Sequence, residues 1–425
     1  MEEYQRRTQF DFSIFLSALA LWTFGILLVY SATSIHETGP LVDLYRTQIV
    51  WVLMAVLIIL AVVSVPTAFY YHGAYVIYGL SLLLLLYAFF TGVETKGAER
   101  WVHIAGIRLQ PSEFAKIGLL MGLARYLSTK PISLERITSF IVPVILIGVP
   151  FLFIIKQPDL GTAMVLAAMS LPVFFWAGLT LVEAFFLVSP IASLVLSMIP
   201  LIIGFSLKHS TGILSALPWG VFFLIVIAML YFRRPPLLVL IATVAANLFT
   251  AAGTTIIWNA LLKDYQKMRI VSFVNPQQDA AGAGYQVIQS MVAIGSGAFF
   301  GKGYLKGTQT RLSYLPEQHT DFIFSVLGEQ FGFFGCLIVL CVFLFLIYRG
   351  YHTTEFVRNR FTNLLIVGAM SIIAFHVFVN IAMTIGMMPV VGVPLPFLSY
   401  GGSFTFTVAV LIGLILNARV SRQDF

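Results

Sequence analysis

Asp321 stands in the stretch Tyr314 to Gln330, YLPEQHTDFIFSVLGEQ, with Pro316, Glu317 and His319 just before it. A polar loop of roughly sixty residues ends there and a long apolar segment begins, the change that marks a helix start. A carboxylate at such a mouth has two readings. In the first turn it would cap backbone N–H groups that lack partners and sit at the positive end of the helix dipole. Facing a water-filled pocket beside the apolar layer, it would instead take a proton as a general base. Glu329 follows eight residues later, on nearly the same helical face and ~12 Å deeper. That is too far to share a proton transfer, and Glu329 reads as structural.

Other ionisable residues recur at the ends of apolar runs. Glu113 and Lys116 are three apart on one helical face, after a Gln110-Pro111-Ser112 helix start in which Ser112 or a neighbour would be the cap. Asp159 belongs to the turn Lys156-Gln157-Pro158-Asp159. Such pairs and turns often only neutralise or cap themselves, yet ionisable groups at a membrane are candidate site residues. Lys96, Arg100 and Trp101 share a compact basic and aromatic loop with a turn centred on Gly106, and Arg269 lies in the long loop 259–320.

The elements that position these residues are membrane helices. The chain is 59% hydrophobic and 10% charged, whereas soluble domains carry about 25% charged residues. Apolar runs able to cross ~30 Å of hydrocarbon, or nearly so, fall near 12–32, 48–69, 73–92, 112–128, 137–155, 160–178, 181–206, 215–232, 236–258, 321–348, 360–388 and 402–418. The expectation is an all-α polytopic membrane protein of about twelve spans, a single integral domain over 1–425. Arg6 and Arg7 precede the first run and no small-residue cleavage site follows it, so that run reads as a retained anchor. Loop 259–320 carries apolar residues at helical spacing, Val287, Ile288, Met291, Val292 and Ala293, which imply an amphipathic helix. Pro389, Pro394 and Pro396 break helix geometry between two runs, and irregular backbone there must be buried in protein or line a cavity.

Placing both termini in the cytoplasm puts Arg125, Lys130, Arg233, Arg234, Arg349, Arg358, Arg360 and Arg419 inside, as the positive-inside rule asks. The outer loops are also basic, chiefly 92–111 and 259–320. A cationic surface over a membrane pocket suits an anionic lipid diphosphate, although long translocated loops tolerate charge in any case. Cys336 and Cys341 lie in one apolar run and read as packing residues. No HExxH or CxxC spacing is present, and Gly297 to Gly303 fails as a phosphate loop because its spacing is one short and no Ser or Thr follows Lys302. Nothing in the chain points to nucleic acid.

Together, KGAERW at 96–101, QPSEFAK at 110–116, QPDLGT at 157–162, Arg269 with NP at 275–276, GAGY at 282–285, GKG at 301–303, GTQ at 307–309, LPEQHTDFIF at 315–324 and PLPFLSYGGS at 394–403 resemble the SEDS family of bacterial cell-wall polymerases. The HTDFIF and GTQ wording favours its RodA-type branch over the FtsW-type. The resemblance implies a peptidoglycan glycosyltransferase of the bacterial cytoplasmic membrane that polymerises lipid II at the outer face during elongation. Its partners would be a class B penicillin-binding transpeptidase, the undecaprenyl diphosphate-linked glycan and membrane lipids. Family members have about ten spans, so a two-helix insertion is expected within 179–235.

That chemistry assigns roles. The donor sugar leaves a lipid diphosphate, whose negative charge needs cations: Lys96, Arg100, Lys116 and Arg269 are candidates. The acceptor 4-hydroxyl needs a base, Asp321, and direct displacement inverts the anomeric centre with one carboxylate. Trp101 would stack on sugar or lipid or belong to an interfacial belt. Glu113, Asp159 and His319 complete the candidate substrate-binding set. No cofactor is required; Mg2+ or Mn2+ would suit the diphosphate, but no motif fixes a metal site. A transporter or flippase of lipid II, suggested by the span count and broken segments, and a non-catalytic scaffold are the competing readings. Neither accounts for the crowding of polar motifs on the outer side.

Overall fold

The computed structural model describes residues 10–34, 43–91, 93–95, 98–104, 107–130, 132–133, 137–207, 213–279, 282–312 and 314–420. Helices α1 (Phe12–Thr33), α2 (Leu44–Ser64) and α3 (Thr67–Thr91) lead to three short strands, β1 (Val93–Thr95), β2 (Ala98–Ile104) and β3 (Ile107–Leu109). Then come α4 (Pro111–Thr129), α5 (Ile141–Lys156), α6 (Leu160–Trp176), α7 (Leu181–Leu207), α8 (Leu217–Arg233) and α9 (Leu237–Ile256). The long loop holds α10 (Asp264–Val274), α11 (Ala283–Ser296) and the one-turn α12 (Thr308–Arg311), and the chain closes with α13 (Ile323–His352), α14 (Arg360–Thr384) and α15 (Gly402–Val420).

Helices α1–α9 and α13–α15 fall on the twelve apolar runs read from the sequence. Among the described residues ten helices are long and apolar enough to cross a membrane. The two others are α6, with 17 residues, and α4, which carries Glu113, Lys116 and Arg125. Burial separates centre from rim: 78% of the apolar stretch in α14 and in α15 is enclosed by protein, against 11% in α8. With no hydrophobic drive between helices in lipid, the apolar surface of the rim helices is their lipid-facing side, and α14 and α15 are the axle. One core cluster runs through α1–α6 and α13–α15. A separate small one, Phe186, Val226 and Leu230, joins α7 to α8.

Three local outcomes differ from the sequence expectations. The loop after α3 is a small antiparallel meander, with Val93 opposite Trp101 and Val102 opposite Leu109, where a plain loop was expected; its strands are too short for alternation to stand out. Gly106 and Lys96 lie outside the described residues. Helix α4 begins with Pro111 at its first position and the neighbour Gln110, not Ser112, at the cap position, and no side chain makes the expected capping bond. The long α13 is broken at Gly332, whose φ of 64° no other residue type adopts easily. There Lys302 and Gly303 donate their N–H groups to the carbonyls of Glu329 and Gln330 at 3.0 Å, and Phe333 and Phe334 donate to Ala298 and Phe299. The segment 298–303 thus satisfies backbone groups that the kink exposes.

The expected amphipathic helix is α11. Its Val287 packs with Leu315, Phe322 and Val390, and Ser290 Oγ lies 2.6 Å from Ser325 Oγ. The face that buries itself does so against α13 and the loop after α14.

Candidate active site

The site is organised by the stretch Ile385 to Gly401, which contains no helix and is nonetheless buried at Val390, Val393, Leu395, Phe397 and Leu398. Irregular backbone inside a bundle must find hydrogen-bond partners. Asn380, on α14, supplies both amide protons, donating to the carbonyls of Val393 and Asp321 at 2.8 Å each. His376, one turn earlier, places Nδ1 3.1 Å from the Pro394 carbonyl. Ser399 accepts from the Leu395 N–H at 2.8 Å and donates to the Thr320 carbonyl at 2.6 Å. Tyr400 N–H donates to the His319 carbonyl at 2.9 Å, and the two rings lie 5.9 Å apart. From α2, Gln48 donates to the Ser399 carbonyl at 3.4 Å.

Asp321 belongs to the tight turns of 316–322. Helix α13 starts only at Ile323 with Phe322 at the cap position, so Asp321 precedes the helix and does not fall in its first turn as expected. Its main chain is fixed at both ends: N–H to the Glu317 carbonyl at 3.1 Å, C=O from Asn380. Its half-buried carboxylate faces Gly392, where φ is +70° and an added Cβ would stand 3.5 Å from Asp321 Oδ2. Glu317 and Phe397, in the two segments that meet at the site, hold positive φ of 53° and 66°. Such conformations cost about 1–3 kcal/mol each and tend to collect at functional sites.

Beneath the loop lies a buried polar cluster. Lys116 Nζ is 2.8 Å from Glu113 Oε1 and 3.1 Å from His376 Nε2, with the Phe404 ring centroid at 5.3 Å. The Lys116 side chain is fully enclosed and that of Glu113 is 4% exposed. Lys116, expected to meet a diphosphate, is therefore turned inward and paired within the protein, and its influence on the site passes through His376. Asp159 caps α6, accepting from Thr162 N–H at 3.2 Å and Thr162 Oγ1 at 3.0 Å, and also accepts from Gln110 at 3.2 Å. It is an anchor between α4 and α6.

Glu329 is fully buried and saturated. It accepts from Lys302 Nζ at 2.9 Å, Thr308 Oγ1 at 3.2 Å, Gln309 N–H at 2.7 Å, and Thr310 N–H and Oγ1 at 2.9 and 2.6 Å. The GKG and GTQ motifs are thereby explained as a cradle that ties the loop to α13. Arg269 sits half-buried on α10. Trp101 is half-buried on β2; the Arg100 side chain lies outside the described residues. Among the described residues no group of three His, Cys, Asp or Glu side chains is placed to hold a metal ion. Burial pushes the Tyr400 phenol above its ordinary value, against hydrogen bonds to Trp51 and Thr47 that lower it, so at neutral pH it is an uncharged neighbour of His319.

Asn380 and His376 escaped the sequence reading because they are scattered polar residues in one long apolar run, and Gln48 because it stands beside Arg46 and Thr47 at the edge of another. A polar side chain inside a membrane helix is the signal that would have found them.

A multi-pass membrane protein with one half-buried carboxylate held by its main chain beside a buried irregular loop is the class that fold and site define. A model of the FtsW/RodA/SpoVE cell cycle protein family matches residues 12–214 and 218–424, and the chain belongs to that family. Among its relatives, the peptidoglycan glycosyltransferase RodA of Treponema pallidum is 35% identical over 97% of this chain and 98% of that protein. The peptidoglycan glycosyltransferase MrdB of Escherichia coli K12 is 31% identical over 98% of this chain and 95% of its own length. A chain of a solved peptidoglycan synthase complex that coordinates polymerization and crosslinking superposes with a TM-score of 0.70 at 26% identity, covering 98% of this chain and 99% of the other. The rod shape determining protein RodA of Thermus thermophilus, at 22% identity, shares the fold over both whole chains with a TM-score of 0.61.

Proposed function

We propose that this chain is a peptidoglycan glycosyltransferase that polymerises lipid II into glycan strands, with Asp321 as the general base. Its family and the names of its relatives support the activity. The observation that carries the residue assignment is the fixing of Asp321 by its main chain, at Asn380 and Glu317, with the carboxylate against a glycine. A base has to hold its position while its proton count changes, and main-chain anchorage does not depend on that count. The acceptor 4-hydroxyl attacks the anomeric carbon as its proton passes to Asp321. The C–O bond to the lipid diphosphate breaks with inversion, and the lipid diphosphate departs with the bonding pair. Arg269, with Arg100 and Lys96, supplies positive charge for that leaving group. Trp101 and His319 border the approach. Glu113, Lys116 and Asp159 set the floor, and no step is routed through a metal.

The site faces the outside of the bacterial cytoplasmic membrane, both termini face inward, the partner is a class B penicillin-binding transpeptidase, and the step serves elongation. On a cysteine-free background, Leu312→Cys reacts with an impermeant thiol reagent in intact cells and Arg358→Cys does not; the reverse pattern would invert the orientation. The activity test uses purified protein in detergent with its transpeptidase partner. Wild type converts lipid II to glycan strands, whereas a flippase leaves lipid II intact. Asp321→Asn keeps the shape and loses the base, so turnover falls by roughly 10²–10⁴ with the melting temperature held. Full activity of that variant would remove Asp321 from the mechanism.

A further inference from the structure

His376 is wholly buried between a cation and a carbonyl. An ammonium can only donate and a carbonyl can only accept. With Lys116 Nζ 3.1 Å from Nε2 and the Pro394 oxygen 3.1 Å from Nδ1, both contacts are hydrogen bonds in a single state, the neutral ring with its proton on Nδ1. A ring protonated on Nε2 would present hydrogen to hydrogen at Lys116 and a lone pair to a lone pair at Pro394. Each mismatch would leave buried groups unpaired.

Pro394 adjoins Val393, whose carbonyl shares Asn380 with that of Asp321. His376 and Asn380 are four apart on α14 and so lie on one face. Two consecutive carbonyls of the loop are therefore gripped by one helix, which grips the Asp321 turn as well. Pro394 and Pro396 have no N–H of their own, so the local register of the loop depends on these acceptors.

We propose that His376 is a positioning residue: its Nδ1–H bond to Pro394 sets the loop that faces the Asp321 carboxylate, and the buried Glu113–Lys116 pair selects the tautomer that makes this bond available. This rests on the glycosyltransferase reading for its kinetic arm only.

Two substitutions separate the ring nitrogens. The amide nitrogen of His376→Asn replaces Nδ1 and that of His376→Gln reaches the place of Nε2. The geometry requires His376→Asn to keep kcat for lipid II polymerisation at least tenfold above His376→Gln. In the latter, kcat falls by about 10²-fold, the scale of a small misplacement of reacting groups, with KM changed by less than threefold. A role limited to covering the Lys116 charge gives the opposite order, since Gln covers it better, and either that order or equal kcat would overturn the proposal. A wild type that makes no polymer counts against the enzyme reading instead. A second measurement needs no activity: the His376 signal is picked out from those of the seven histidines by its loss in His376→Asn. The 15N shifts of histidine-labelled wild-type protein assign Nδ1 as protonated and Nε2 as bare for His376, and a ring protonated on Nε2 sinks the inference.

Discussion

The centre of the bundle and its α7–α9 flank are both membrane helices joined by buried polar contacts, yet they use those contacts differently. On the flank the network is closed on itself. Asn247 donates to Ser189 Oγ and to the Thr243 carbonyl at 2.8 Å and lies 2.6 Å from Ser193 Oγ, while Ser197 Oγ and Thr254 Oγ1 meet at 2.6 Å. Every partner is on α7 or α9, so the network glues two helices and reaches nothing else. At the centre, polar side chains from α2 and α14 point at the main chain of a non-helical loop, and ionisable groups are interposed. Closed networks hold helices together; open ones hold a shape that helices cannot supply.

Perturbations should respect that difference. Glu329→Ala leaves Lys302 and the backbone donors of Gln309 and Thr310 without their acceptor. Removing one partner of a buried pair costs roughly 3–5 kcal/mol, so polymerisation and melting temperature are expected to collapse together. This contrasts with Asp321→Asn, where activity falls alone. Retention of the melting temperature in Glu329→Ala would show the cradle to be dispensable. Replacing 179–235, the proposed insertion, with a short connection is expected to lower thermal stability while specific activity per folded molecule changes only a few-fold. Selective loss of turnover in a folded deletion would bring the flank into the site. Asn247→Ala is the mildest: hydrogen bonds between membrane helices average about 0.6 kcal/mol and reach ~1.7. A shift of that size in unfolding free energy, with kcat unmoved, is expected; an altered kcat would contradict the closed-network reading.

The helices were legible because lipid demands long apolar runs: each of the twelve runs coincides with a helix, and among the described residues ten of these helices are long and apolar enough to cross a membrane. The buried, helix-free stretch was legible from Pro389, Pro394 and Pro396, since prolines clustered that closely each remove a backbone donor and make a continuous helix costly, whereas the more widely spaced Pro150, Pro172, Pro190 and Pro200 are carried inside helices. Pairing was not. Lys116 looked like a ligand for phosphate because sequence gives its face on α4 but not the His376 that closes over it from 260 residues away. Asp159 and Glu329 illustrate the same limit from the other side: an acid near a motif is equally readable as reactive or as an anchor, and only the count of donors around it decides. For Glu329 the structure gives five, and the sequence had already placed it too deep to share the base's work.

Gln48 reaches Ser399 across 351 residues of chain, and Asn417 donates to the carbonyls of Val62, Val63 and Val65, near the end of the second helix. Since synthesis and insertion run from the N-terminus, the early helices enter the bilayer long before the segments that fill their centre exist. The loop that faces Asp321 and the axle helix after it are delivered only after α1–α14. A nascent chain therefore holds nearly all its membrane helices before the contacts of α15 with the end of α2, and of the 385–401 stretch with the Asp321 turn, can form.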